Sequence, residues 1–244
     1  MMAEPSPATL SPLDTVRWKA VTAKAPDITA GNLPHAMKFC RHNRVELLIA
    51  RCSTSDLPAA QAMERDGFQI MDTLVYFSRD IANGVPPEQG SIPIRELRSG
   101  EDGAVRQVAS QSFAGYMGHY HADPRLDRRQ CDETYVDWAH RSCLSKEVAD
   151  AVLVGATGAK IIAFATMRLN SEEEGEGVLF GVAPEAQGQG IYRALMVGGM
   201  QWCKARSRAR MVVSTQITNY AVQKVWTRLG FEPLKSYYTL HKWF

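Results

Sequence analysis

Helical spacing and alternation divide the C-terminal part of the chain into clear elements. Val105, Val108, Ala109 and Ser112 fall on one helical stripe and predict a helix over 101–113. Tyr135, Trp138, Ala139 and Ser142 do the same over 131–144. Residues 93–97 alternate as a short strand. Two further strands, over 149–155 and 160–168, flank the turn Ala156-Thr157-Gly158-Ala159. A strand over 177–182 stops near Pro184, a long apolar helix covers 191–204, and a strand covers 211–215. A helix over 219–228 ends at Gly230, and an aromatic-rich strand over 235–242 follows. This order mixes hairpins with crossovers, which predicts an α/β (α+β) fold with a mixed sheet flanked by helices.

The N-terminal part echoes this ending. Residues 46–50 read as a strand, 57–65 as a helix stopped at Gly67-Phe68, and 73–77 as a strand. A shift of 163 residues lays Arg65-Asp66-Gly67-Phe68 on Arg228-Leu229-Gly230-Phe231 with matching flanks. We read this as a degenerate half-repeat. His35 and His42 sit in a helical-looking stretch and are read as structural. Between the two parts, Val85-Pro86-Pro87-Glu88-Gln89-Gly90-Ser91-Ile92-Pro93 is the clearest linker, because adjacent prolines bar helix and disfavour a central strand. The expected division is a smaller domain over 1–90 and a larger one over 91–244.

Composition acts mainly by exclusion. With 45% apolar and 22% charged residues, the chain has the balance of a globular protein. No stretch approaches the roughly 20 apolar residues of a membrane helix. The opening MMAEPSPATLSPLD also lacks a basic-then-apolar leader pattern, so a cytoplasmic protein without a membrane partner is expected. A net charge of +2 argues against nucleic acid as a partner. Cys40, Cys52, Cys131, Cys143 and Cys203 are scattered without a CxxC pair, so free thiols are expected rather than a disulfide framework or a zinc site.

One stretch carries most of the chemistry: Val182-Ala-Pro184-Glu-Ala-Gln187-Gly188-Gln189-Gly190-Ile191-Tyr192-Arg193. A strand stops, a short loop carries two glycines, and a helix begins at once. Such a turn aims unpaired N–H groups and the positive helix end at one point, where the glycines admit a bulky anion such as a pyrophosphate. A Walker loop occurs nowhere, and a dinucleotide fingerprint fails because Arg193 stands where a small residue is needed.

Gln187-x-x-Gly190 after a strand ending Val-x-Pro resembles the coenzyme A loop of the GNAT superfamily of acyl-CoA-dependent N-acyltransferases. Asn219-Tyr-Ala221 through Trp226 to Gly230-Phe231 is similar to a second segment of the same family. The match covers about 150 residues in the family's element order. More narrowly, Tyr120-His121-Ala122-Asp123-Pro124-Arg125-Leu126 and Thr215-Gln216-x-x-Asn219 resemble the nucleotide-sugar N-acyltransferases of the superfamily, which also carry a truncated GNAT-like N-terminal domain. The resemblance implies transfer of an acetyl or short acyl group from acyl-CoA to the amine of a dTDP-linked amino sugar, by direct attack in a ternary complex. Acyl-CoA is then the co-substrate, no metal is required, and a homodimer is expected. Two alternatives stay open: another small amine or a peptide N-terminus as acceptor, or a non-catalytic CoA-binding module.

The family likeness also distributes roles. Phe180, Gly181 and Val182 would face the pantetheine arm, with a backbone N–H of this strand stabilising the oxyanion. Gln187, Gly188, Gln189, Gly190, Ile191 and Tyr192 would hold the pyrophosphate, with Asn219 and Trp226 beside the cofactor. Two of these depart from the family: Tyr192 replaces a usual Gly or Ala, and Trp226 stands where a Tyr often serves as general acid. Glu176, at the start of the strand, is the favoured base, against the reading of 172–176 as a solvated acidic turn. His119, Tyr120, His121, Asp123 and Arg125 form the densest polar cluster. Tyr120, His121, Asp123, Arg125 and Gln216 are expected to bind the sugar nucleotide, Arg125 at its diphosphate, and His121 or Asp123 is a second base candidate. The bland reading is an Asp-Pro turn with exposed histidines. One of Tyr237, Tyr238 and His241 on the last strand is expected to replace the missing acid, with Tyr238 the first candidate. Tyr237 and Tyr238 cannot both face the site, since neighbouring strand residues point to opposite sides.

Overall fold

The computed structural model describes residues 6–82, 84–87 and 92–244. Residues 88–91 of the expected linker, and with them the boundary at residue 90, lie outside the described residues. The N-terminal half runs β1 (Thr9–Leu10), α1 (Pro12–Trp18), β2 (Thr22–Ile28), α2 (Leu33–His42), β3 (Leu47–Ser53), α3 (Leu57–Arg65) and β4 (Gln69–Asp80). The C-terminal half runs β5 (Ile94–Glu96), α4 (Asp102–Ser112), the one-turn α5 (His119–Ala122), α6 (Arg128–Leu144), β6 (Ala151–Thr157), β7 (Lys160–Leu169) and β8 (Glu174–Val182). It ends with α7 (Ile191–Ala205), β9 (Arg210–Gln216), α8 (Tyr220–Arg228) and β10 (Glu232–Trp243).

Local chemistry sets several of these boundaries. Asp56 caps α3 by accepting from the Ala59 N–H at 3.0 Å, and Asp127 caps α6 through the Gln130 N–H at 2.9 Å. In α7, Leu195, Met196, Val197, Met200 and Cys203 are buried, so tertiary packing holds this helix. Strand β2 escapes the sequence pattern because Pro26 interrupts it. The proline is tolerated where the β2–β3 register shifts between Ala25 and Ile28.

The ten strands of the described residues join one sheet in the order β1-β2-β3-β10-β4-β9-β8-β7-β6-β5. Only β2–β3 and β8–β9 pair in parallel. The half-repeat explains this order. Elements β2-α2-β3-α3-β4 correspond to β8-α7-β9-α8-β10, and the two units exchange their last strands. β10 lies antiparallel between β3 and β4, while β4 lies against β9. Gly67 and Gly230 both close their helices with positive φ, 82° and 78°. The next residues match as well: the Phe68 N–H donates to the Met63 carbonyl and the Phe231 N–H to the Trp226 carbonyl, each at 3.0 Å.

Three apolar clusters divide the two faces. Helices α2 and α3 pack with Leu48, Ala50 and Cys52 of β3, whereas α4 and α6 pack with its alternate residues Leu47 and Ile49. Helix α7 packs with Ala151 and Leu153 of β6, and Val152 and Val154 turn to α4 and α6. The sheet is therefore covered on both sides. No described helix is long and apolar enough to cross a membrane.

Candidate active site

The parallel pair β8–β9 holds together only from Glu174 opposite Arg210 to Gly177 opposite Val213. Beyond that point the two strands no longer pair with each other. The cause lies on the other side of β8, where the β7 register shifts: Thr166 faces Leu179 and Met167 faces Gly177, which leaves Val178 as an extra residue. Such a bulge bends its strand and raises the local twist. The split opens into a cavity of about 530 Å³. Val178, Leu179 and Phe180 line it from β8 and Ser214, Thr215 and Gln216 from β9. Its walls include Thr134 and Trp138 of α6 and also Tyr192, Val222 and Trp226 of α7 and α8, so it passes through the sheet.

Beyond the end of β8, a 3-10 turn (Pro184–Ala186) leads into the glycine loop. Gly188 and Gly190 have φ of 75° and 78°, the left-handed region that glycine enters without strain, and a Cβ on either would meet nothing within 4 Å. Gly190 is the N-cap residue of α7, and no side chain caps that helix. The Gln187 amide donates to the Val182 carbonyl at 3.2 Å and the Gln189 amide to the Glu185 carbonyl at 2.8 Å. Both glutamines thus shape the loop, and the first N–H groups of α7 are left open to an anion. This open cradle fits the diphosphate of a coenzyme A.

The acetyltransferase (GNAT) family matches residues 113–231. The chain contains a GNAT acetyltransferase domain. A mycothiol acetyltransferase from Acidothermus cellulolyticus is 27% identical over 207 residues, 77% of this chain and 62% of the relative. The chain therefore spans less than two thirds of that relative. A dTDP-fucosamine acetyltransferase from Escherichia coli is 24% identical over 225 residues, 91% of this chain and 89% of the relative. Among solved structures, a GCN5-related N-acetyltransferase from Kribbella flavida superposes with a TM-score of 0.65 over 98% of this chain and 88% of the other, at 14% identity, which supports the fold.

Within the GNAT domain, the cavity gathers Glu176, Phe180, Tyr192, Asn219, Trp226, Tyr120 and Gln216. Glu176 is half-buried, and burial raises its pKa, with Glu174 adding to the effect. The two departures from the family pattern meet each other: the Trp226 indole N–H donates to the Tyr192 hydroxyl at 2.9 Å, and the Tyr192 ring packs edge-on against Phe180. Asn219 donates to the Thr215 hydroxyl at 3.0 Å, and the Tyr116 hydroxyl donates to Gln216. Gly181 sits opposite Phe164 in the β7–β8 ladder, and a Cβ there would collide with the Phe164 ring. Packing of Phe164 therefore accounts for its small size.

Four expected site residues stand elsewhere. His121 lies outside the cavity lining; its Nδ1 accepts from the Gly118 N–H at 3.1 Å, its Nε2 meets Asp132 at 3.0 Å, and its ring stacks on Tyr135. Arg125 stacks over the Trp243 ring at 4.0 Å and lines a separate outer groove. Tyr238 packs against the α2–α3 core, while Tyr237 turns to Tyr76 on the cavity side. Asp123 is buried and acts through other residues. Its Oδ2 accepts from His241 Nδ1 at 2.7 Å and from the Trp243 indole at 2.9 Å, and its Oδ1 accepts from the Arg125 N–H at 2.9 Å.

That carboxylate begins a chain the sequence did not disclose. Burial works against the Asp123 charge, yet hydrogen bonds from His241, Arg125 and Trp243 hold its pKa below the usual range. With Asp123 ionised and the His241 ring neutral, the His241 proton lies on Nδ1 and Nε2 is the acceptor. It lies 3.0 Å from His119 Nδ1, which therefore carries the proton and leaves Nε2 of His119 as a lone pair. His119 lines the cavity, its ring lies 3.8 Å from that of Tyr120, and burial lowers its pKa well below the ordinary value. In that arrangement His119 presents an acceptor nitrogen to the site. Nitrogen-15 NMR of labelled histidines should show His119 protonated at Nδ1 and bare at Nε2 through neutral pH. Asp123→Ala should abolish that preference; a His119 protonated at Nε2 in the unaltered protein would contradict the tautomer assignment.

Proposed function

We propose that the chain is an acyl-CoA-dependent N-acyltransferase whose acceptor is the amine of a nucleotide-linked amino sugar. The split between β8 and β9 carries this reading, because it joins the glycine loop to a cavity large enough for a second substrate. The loop amides of residues 188–192 take the diphosphate of acyl-CoA, and the pantetheine arm follows β8 along the edge that β9 vacates. Leu179 directs its N–H to the Thr166 hydroxyl of β7 at 3.1 Å, so by strand alternation the Phe180 N–H turns toward the cleft. There it donates to the carbonyl oxygen as negative charge develops.

Glu176 receives a proton from the incoming ammonium, and the neutral amine attacks the thioester carbonyl. The C–N bond forms, the nitrogen sheds its second proton to solvent as the C–S bond breaks, and the departing sulfur takes a proton. Tyr192 brings a hydroxyl to this end of the cavity; its oxygen already accepts from Trp226, which leaves its own proton free to donate. His119 accepts from a hydroxyl of the acceptor. The sugar-nucleotide acceptor is supported by the similarity to dTDP-fucosamine acetyltransferase, which spans nearly both chains. A second reading keeps the chemistry with a different small amine, favoured by the mycothiol acetyltransferase similarity.

Thiol release from acetyl-CoA should be detected with a dTDP-amino sugar and should be far slower with the free amino sugar or a peptide amine. Equal rates with all three would remove the nucleotide sugar as acceptor. Tight CoA binding without thiol release for any amine would leave a binding module.

A further inference from the structure

The cavity has a second end, where α1, β2 and β3 meet α6. In the sheet, β10 and β4 separate β3 from β9, so this end lies three strand spacings, about 14 Å, from the split. Arg17, Lys24, Arg51 and Arg141 line it. Their partners are too few. Lys24 pairs with Asp14 at 2.6 Å, but Asp137 alone serves both Arg17 Nη2 at 2.6 Å and Arg141 Nε at 2.9 Å.

Two groups are left over. The Arg17 side chain is 9% exposed, and its Nη1 is buried with no hydrogen-bond partner among the described residues. A buried N–H without a partner is costly, and a ligand oxygen would satisfy it. The Arg51 side chain makes no hydrogen bond or ion pair among the described residues, although Glu176 and Asp72 lie near enough to feel its charge. A guanidinium on a cavity wall, half-buried and with no carboxylate in hydrogen-bond contact, is suited to an oxyanion of the ligand.

We propose that Arg51 and the open Nη1 edge of Arg17 hold the diphosphate of a nucleoside-diphosphate acceptor, so that the N-terminal half selects this substrate. The inference rests on the acceptor proposed above. It moves the anion site from Arg125 to residues with no counterpart in the acetyltransferase motifs. The amine then lies at the split beside Glu176 and the diphosphate beside Arg51 of β3, an arrangement that favours an acceptor carrying both groups over a small free amine.

Titration calorimetry of thymidine diphosphate into the full chain, with the loop filled by saturating CoA, tests this directly. Arg51→Gln should weaken binding by about 10–100-fold. Arg17→Lys, which keeps the charge and the Asp137 pair but removes Nη1, should lose less in the same direction. Circular dichroism identifies any variant that fails to fold, and Arg51→Lys, keeping the charge, should recover part of the loss. Unchanged binding in folded Arg51→Gln, or no binding to the unaltered protein, would overturn the proposal. Malonate bound as tightly as the nucleotide would overturn it in favour of a carboxylate acceptor. If thymidine diphosphate binds through Arg51 yet no dTDP-amino sugar is acylated, the anion site stands and the proposed reaction fails.

Discussion

Glu176→Gln is expected to lower kcat with a dTDP-amino sugar by about 100-fold near pH 7, and by much less at alkaline pH. The sign follows from two titrations. Burial raises the Glu176 pKa, so the carboxylate is present above that raised value and is lost as pH falls through it. The unaltered enzyme should therefore lose activity on the acid side at a pH above the ordinary carboxylate range. In the glutamine variant this limb disappears, and the rate follows only the fraction of neutral amine. An amine with a pKa near 8 is about one-tenth neutral at pH 7 and largely neutral by pH 9, where the missing base matters least. Glutamine is nearly isosteric, and the KM for acetyl-CoA should hardly change. A pH–rate profile of unaltered shape would exclude Glu176 as the base.

Gly190→Val should raise the Kd for CoA by at least 100-fold while the protein still folds. The residue has φ of 78°, where a side chain costs about 1–2 kcal/mol, and a β-branched one is most disfavoured. Its Cβ would meet nothing within 4 Å, so the added atoms enter the space where the diphosphate is expected, at the N-terminus of α7. Asn tolerates left-handed backbone, so Gly190→Asn separates strain from obstruction. It should lose less thermal stability than the valine variant and still bind CoA poorly. Calorimetry with CoA and a thermal melt give the two readings. Full CoA affinity in both variants would place the diphosphate elsewhere.

Much of the fold can be read from local pattern because local forces make it. The helix Leu57–Arg65 has its cap and its glycine stop in the sequence, and the loop before Ile191 shows both glycines. The shared Arg-x-Gly-Phe ending of the two units shows the repeat. What the pattern cannot convey is which strands are neighbours. Nothing near residue 235 says that β10 leaves its own unit to lie between β3 and β4. The same blindness displaced part of the site. Arg51 and Arg17 are ordinary surface-like residues until the sheet order brings them to the cavity. His119 and His121 are two residues apart on a single helical turn, too short for periodicity to say which faces inward. Arg125 carries the charge an anion site needs, but Trp243 occupies its guanidinium face.

The exchange of β10 and β4 also bears on how molecules enter and leave. Two lobes joined by a flexible tether open like a clamshell around a hinge. Here the ladder from Glu232 opposite Ser78 to His241 opposite Gln69 stitches the lobes through the middle of the sheet. Separating them would tear hydrogen bonds from the centre, so traffic must use gaps between helices and loops at the rim while the framework stays shut.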